Sequence, residues 1–224
     1  MRLDSVEISV ADLDACAAAY ALLLGVPPTP LAGGAYRFQL ARGAVEIAPG
    51  DAGLRAVRFA REPGDPAPWP DPAFFYGLRV EPATATAAAP EALPAVQALD
   101  HVVVRTPDAD RAIALWRDRL GLRLAFDRAF PERGLRLVFM RSGGITFEFA
   151  TAEPPPEDRR GDDLLWGVSY RVADLRAHRE RLVAAGFDVT PIRAGHKAGT
   201  RVATVRSGTA GVPTLLLEAA PEAA

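Results

Sequence analysis

Three histidines and one cysteine are the obvious candidates for chemistry in this sequence, and each can be weighed by its neighbours. His101 opens the β-branched run Leu99-Asp100-His101-Val102-Val103-Val104-Arg105. Its imidazole can carry a proton or bind a metal, or it can be a hydrogen-bonded structural residue. The period of two puts Val103 and Arg105 on its face. His178 falls on the apolar face of a predicted helix, in the slot that Cys16 and Ala112 hold in two other helices, and reads as structural. His196, in Arg193-Ala-Gly-His-Lys-Ala-Gly199, is a lid residue over a pocket, a stand-in for a missing ligand, or an exposed loop histidine. Cys16 reads as facing a core, with neither access nor a basic partner, which argues against nucleophilic catalysis by this thiol. There is no nucleophile elbow, P-loop, dinucleotide fingerprint or HExxH motif.

The elements that position these side chains form a repeat. After His101, Asp108 can cap a helix whose apolar face is Ala109, Ala112, Ile113, Trp116 and Leu120, and Gly121 can end it. The same pattern runs from Ser5 through Asp12 to Gly25, with Leu13, Cys16, Ala17, Tyr20 and Leu24 on the apolar face. It runs again from Gly167 through Asp174 to Gly186, and Val-Ala-Asp-Leu occurs in both outer copies. The Asp-to-Gly separations of 13, 13 and 12 residues mark an internal repeat.

Strands are expected at 99–105, 122–128, 134–141 and 144–150, the last two joined by Ser142-Gly143-Gly144. Further strands are expected at 164–172, 187–193, 200–206 and 213–219. Residues 99–150 and 163–219 are thus each strand–helix–strand–strand–strand. In the N-terminal half, 35–40, 44–48, 54–60 and 73–80 read as strands. Residues 1–50 make one such unit and 51–97 a remnant of a second that has lost its helix. Proline-rich 61–72 reads as a surface excursion, and 82–97 and 151–162 as linkers. The expected domains are 1–97, a degenerate half, and 98–224, a complete one.

A net charge of −2 gives no basic footprint for nucleic acid. The longest apolar run, from Ala15 to Val26, is too short to cross a bilayer. With a lone cysteine and no apolar leader, the expectation is a cytoplasmic protein.

This arrangement, with Leu-Asp-His-Val-Val-Val-Arg-Thr-Pro-Asp at 99–108, Leu-Gly-Leu at 120–122 and Leu-Leu-Leu-Glu218, resembles the vicinal oxygen chelate superfamily of glyoxalase, bleomycin-resistance and dioxygenase-like proteins. The resemblance implies an α+β fold, with βαβββ units paired into a half-barrel, helices on its convex face and the ligand in its concave face. It implies metal ligands on the first and fourth strands of each unit: His101, Glu148 and Glu218 here, with Gly167 where a histidine is common. Ser5 and Glu46, at the corresponding N-terminal positions, make a poor metal site.

One imidazole and two carboxylates would suit Mn, Fe(II), Ni or Zn, polarising a substrate carbonyl while Glu148 or Glu218 acts as base. On the same reading Arg105, Arg171, Ser169, Thr146, Trp166 and His196 would line a substrate site. Arg105 and Arg171 are equally suited to pairing with Asp108 and Asp174. Two functions follow: metal-assisted lyase or isomerase chemistry on a small oxygenated metabolite, or metal-free sequestering of a small molecule. A cleft lined by Trp69, Phe74, Phe75 and Trp166 would favour the second. A homodimer is compatible with either.

Overall fold

The computed structural model describes residues 2–61, 69–71, 75–83 and 94–219. Phe74 and most of the linkers expected at 61–72 and 82–97 lie outside the described residues. The chain forms β1 (Arg2–Val10), α1 (Leu13–Leu24), β2 (Thr29–Pro30), β3 (Tyr36–Gln39), β4 (Ala44–Pro49), β5 (Gly53–Ala60), β6 (Arg79–Pro82) and β7 (Val96–Arg105). Then follow α2 (Ala109–Ile113), β8 (Arg123–Phe130), β9 (Leu135–Ser142), β10 (Ile145–Ala152), β11 (Leu164–Val172), α3 (Leu175–Ala184), β12 (Arg193–Ala194), β13 (Thr200–Val205) and β14 (Thr214–Ala219). The strands form a six-stranded sheet, β2-β3-β4-β1-β5-β6, and an eight-stranded sheet, β12-β13-β14-β11-β7-β10-β9-β8. The fold class is α+β, as the repeat implies.

The repeat is visible in the pairing. In the two later copies the first strand lies parallel to the fourth: β7 beside β10, β11 beside β14. The remnant keeps the same relation, since β5 pairs in parallel with β6, Val57 opposite Val80. The strand expected at 73–80 starts late. Tyr76 and Gly77 have positive φ, so this stretch turns before β6 begins. The strand expected at 187–193 is reduced to a Val189–Val205 bridge and the two residues of β12. Pro191, lacking an N–H, interrupts the ladder between them.

Each helix begins at its expected aspartate. Asp12 accepts from the Ala15 N–H, Asp108 from Asp110 and Arg111, and Asp174 from Ala177. The second helix departs from expectation: after α2 the chain widens into a π-helical segment, Ala114–Arg119, with Leu120 N–H donating to the Leu115 carbonyl. Trp116 sits in that wider turn.

The contacts divide the chain into two compact units of interleaved segments. One comprises Met1–Val6, Arg55–Thr86 and His101–Gly167; the other comprises Glu7–Leu54, Ala87–Asp100 and Val168–Ala224. The core of the first is aromatic. Trp116 stacks on Phe147 at 5.0 Å between ring centres and meets Phe75, Phe59 and Phe149 at 5.7–5.8 Å. In the second, Tyr20 packs on Phe38 and donates to the Thr209 carbonyl at 3.2 Å, while Tyr170 and Leu216 are fully buried.

Candidate functional site

The site grows from the register of β7, β10, β9 and β8 in the first unit. Val102, Val104, Phe147, Phe149, Val138 and Met140 are fully buried on the face that carries Trp116. Alternation turns the remaining side chains to the opposite face. There they form rows across the strands. The first row is His101, Thr146, Arg141 and Arg123; the second is Val103, Glu148, Phe139 and Phe126; the third is Arg105, Ala150, Leu137 and Arg128.

His101 and Glu148 occupy neighbouring rows. Their Nε2 and Oε2 atoms are 3.7 Å apart, and the side chains are 17% and 22% exposed. This is an ion-pair separation, longer than a hydrogen bond. Partial exposure leaves both groups within reach of a ligand. Thr146 is buried beside His101. Phe139 and Phe126 meet in a tilted contact at 5.0 Å between ring centres, and Phe130 stacks on Phe126 at 6.3 Å.

Glu218 goes elsewhere, and the register explains why. Glu148 stands opposite Val103, two residues past His101. Two residues past Gly167 is Ser169, and its partner on β14 is Leu215. Glu218 is three residues further on, and an odd offset puts it on the other face, with Leu216 and Tyr170. Its Oε2 accepts from the Leu175 N–H at 2.7 Å and its Oε1 from Arg201 at 2.5 Å. Glu218 thereby serves as a second cap on α3 beside Asp174. Among the described residues, no group of three or more His, Cys, Asp or Glu side chains is arranged to hold a metal ion. A catalytic divalent site takes about three protein ligands. His101 and Glu148 offer two, so this donor set does not fit a resident metal.

The other expected residues separate. Arg171 donates through Nε and Nη2 to Asp100 at 3.0 and 2.7 Å, so its carboxylate partner is Asp100 and not Asp174. Arg105 lies over the ring of Trp166 at 5.2 Å rather than beside Asp108. Ser169 is fully buried, with no hydrogen-bond partner for its hydroxyl among the described residues. His196 is exposed in the turn between β12 and β13. The four expected cleft aromatics do not gather: Phe75 is a core residue against Trp116, Trp69 lies under Arg61, Trp166 lies under Arg105, and Phe74 is outside the described residues. In the N-terminal copy Glu46 is paired with Arg37 at 2.6 Å, both buried.

His178 is buried and structural, whereas Cys16 is only half-buried rather than turned fully into a core as expected. Burial drives the His178 pKa down to about 4, with the Arg181 guanidinium adding to the effect and the Leu23 backbone opposing it. Burial, helped by Asp12, pushes the Cys16 thiol up to about 11, so it carries almost no thiolate at neutral pH.

Arg141, Phe139, Arg123 and Phe126 were not among the expected site residues. The signal for the first two was available. A two-residue Gly143-Gly144 turn, both at positive φ, sets Ser142 opposite Ile145 and hence Arg141 opposite Thr146.

With this geometry in place, residues 100–204 match the family model for the Glyoxalase/Bleomycin resistance protein/Dioxygenase superfamily. The match covers a little under half of the chain and agrees with the resemblance to the vicinal oxygen chelate superfamily. Similar solved structures include methylmalonyl-CoA epimerase from Mycobacterium tuberculosis: 25% identity, 58% of this chain and 93% of that one, TM-score 0.47. Another is Streptomyces coelicolor methylmalonyl-CoA epimerase in complex with 2-nitronate-propionyl-CoA: 21% identity, 55% of this chain and 97% of that one, TM-score 0.42. A selenomethionine methylmalonyl-CoA epimerase shares 19% identity over 58% of this chain and 100% of that one, TM-score 0.48. No curated protein matches the chain.

Proposed function

We propose that this protein binds a small oxygenated metabolite on the open face of β7–β10–β9–β8 and moves a proton on it, giving lyase or isomerase chemistry. The observation that carries the reading is the partly exposed His101–Glu148 pair, 3.7 Å apart, with Thr146 in the same row as the imidazole. In the proposed step, Glu148 takes a proton from the carbon next to a carbonyl. The C–H electron pair passes to the carbonyl oxygen, where His101 donates a hydrogen bond, and the proton is then returned from Glu148 to carbon. No divalent ion enters this step. Elemental analysis of protein purified without chelator is expected to find well under one Mn, Fe, Ni or Zn per chain, and a stoichiometric metal lost in His101→Ala would overturn the metal-free form of the mechanism.

The direct test is solvent deuterium exchange, followed by NMR, into 2-oxoaldehydes and 2-hydroxyacyl thioesters. Wild type is expected to exchange the carbon-bound proton. Glu148→Gln is expected to slow exchange by about 100-fold or more while the compound still binds, the range for loss of a general base. His101→Gln is expected to act likewise. Unchanged exchange in Glu148→Gln would sink the assignment. The Phe126, Phe139 and Phe130 rings support a second reading, a sequestering protein. Tight binding without exchange would select it.

A further inference from the structure

The open face holds a feature that the proton-transfer step does not use. Arg123 and Arg141 stand directly opposite each other on adjacent strands. Both are exposed, and neither meets a carboxylate among the described residues. Opposed like charges on a sheet have Cβ atoms about 5 Å apart and are unfavourable. The arginine turned to the other face is treated differently: Arg136 of β9 is held by Asp127 and Asp110, both at 2.9 Å.

Edge protection accounts for a charge on β8, the last strand of its sheet. It does not account for Arg141, which is on the interior strand β9. The bulge between Leu124 and Phe126 adds a second observation. Arg123 and Phe126 are three residues apart and would face opposite ways on a regular strand. The extra residue, Ala125, returns both to the open face, Arg123 opposite Arg141 and Phe126 opposite Phe139. A local ladder defect thus sets a pair of guanidiniums one row from a contacting pair of phenyl rings, about 7 Å along the strand.

We infer that Arg123 and Arg141 anchor the anionic end of a ligand whose apolar or aromatic body lies on Phe126 and Phe139. The anion is a carboxylate or a phosphate, received by planar donors that suit either. This specifies the substrate class of the site and rests on the reading that ligands bind this face. His101 is in the same row as Arg141, two strands away, or about 10 Å. The ligand therefore spans about three strands, its charged end away from the reacting carbon.

Equilibrium binding to the full chain tests this without turnover. The probes are 4-phenylbutyrate, phenyl phosphate and the neutral 4-phenylbutyramide, each measured by calorimetry at low and high salt. At least one anion is expected to bind tenfold or more tightly than the amide, the preferred one identifying the carboxylate or phosphate class. Arg141→Gln and Arg123→Gln are expected to remove most of that preference, Arg141→Lys to restore part of it, and Phe139→Ala to weaken acid and amide alike. Arg160→Gln deletes an equal charge from an exposed pair with Asp158 and is expected to change nothing. Equal binding of anions and amide, no binding of any probe, or equal losses in Arg160→Gln and Arg141→Gln would each overturn the proposal. Arginine-dependent binding without proton exchange would leave the anchor standing and remove the catalytic reading. Exchange indifferent to both arginines would do the reverse.

Discussion

Glu148 and Glu218, given one role by the resemblance, end in different surroundings. Glu148 stands 3.7 Å from an imidazole, whereas Glu218 closes the start of α3 through the Leu175 N–H. The two roles predict different phenotypes. Glu218→Ala is expected to lower stability by about 1 kcal/mol, the usual worth of a helix cap, in a urea titration, with ligand binding unchanged. A loss of binding larger than the loss of stability would contradict the capping role. The aspartate caps were legible because capping is local: the residue, its amides and the closing glycine lie in one stretch of chain. Glu148 was singled out by the family resemblance, which points to the fourth strand of each unit. Glu218 was misplaced because an odd error in register, three residues here, reverses a face. Arg141 needed only a count across the Gly143-Gly144 turn, but Arg123 and Phe126 depend on a bulge that no periodicity announces.

At the scale of elements, the helices were expected in place and in phase, but the second was not expected to widen after Ile113. That widening accompanies the burial of Trp116 among four aromatic rings. Trp116→Ala is expected to destabilise by about 3–5 kcal/mol, as large aromatic truncations in cores do, and Trp116→Phe by clearly less. Equal losses from the two would mean the indole body adds nothing beyond a phenyl ring. In α3, His178 makes stability depend on acidity. Its folded pKa of about 4 lies below the ordinary value of 6.5, so between those limits the unfolded chain binds the extra proton. Its contribution is complete above pH 6.5 and is lost as the pH falls towards 4, by at most about 3 kcal/mol. Denaturant midpoints from pH 7 to 4 are expected to fall less steeply in His178→Leu than in wild type. Parallel curves would show that carboxylates alone set the acid limit.

For the whole molecule, the α+β class and the βαβββ copies could be read from spacing, because each copy carries its own alternation and caps. What the spacing could not supply was the partnership of segments. The first compact unit joins Met1–Val6 and Arg55–Thr86 to His101–Gly167, and the second joins Glu7–Leu54 to Val168–Ala224. Phe59 of β5 against Trp116 is one contact that ties an early segment to a late one. Residues 98–224 expressed alone are therefore expected to lose the cooperative unfolding transition of the full chain, or to recover it only when residues 1–97 are supplied in trans. A monomeric 98–224 fragment with the full-length midpoint would refute this.

The interleaving also bears on how such a gene can change. Copies that arise by tandem duplication begin as exchangeable modules, each free to be lost, shuffled or fused to another chain. Once an early strand supplies the wall of a late core, a recombination point between the copies leaves both products with an open interior. The duplicated halves are then inherited as one piece, and novelty has to come from substitutions on the open face, where the rows of side chains can vary without disturbing the aromatic interior behind them.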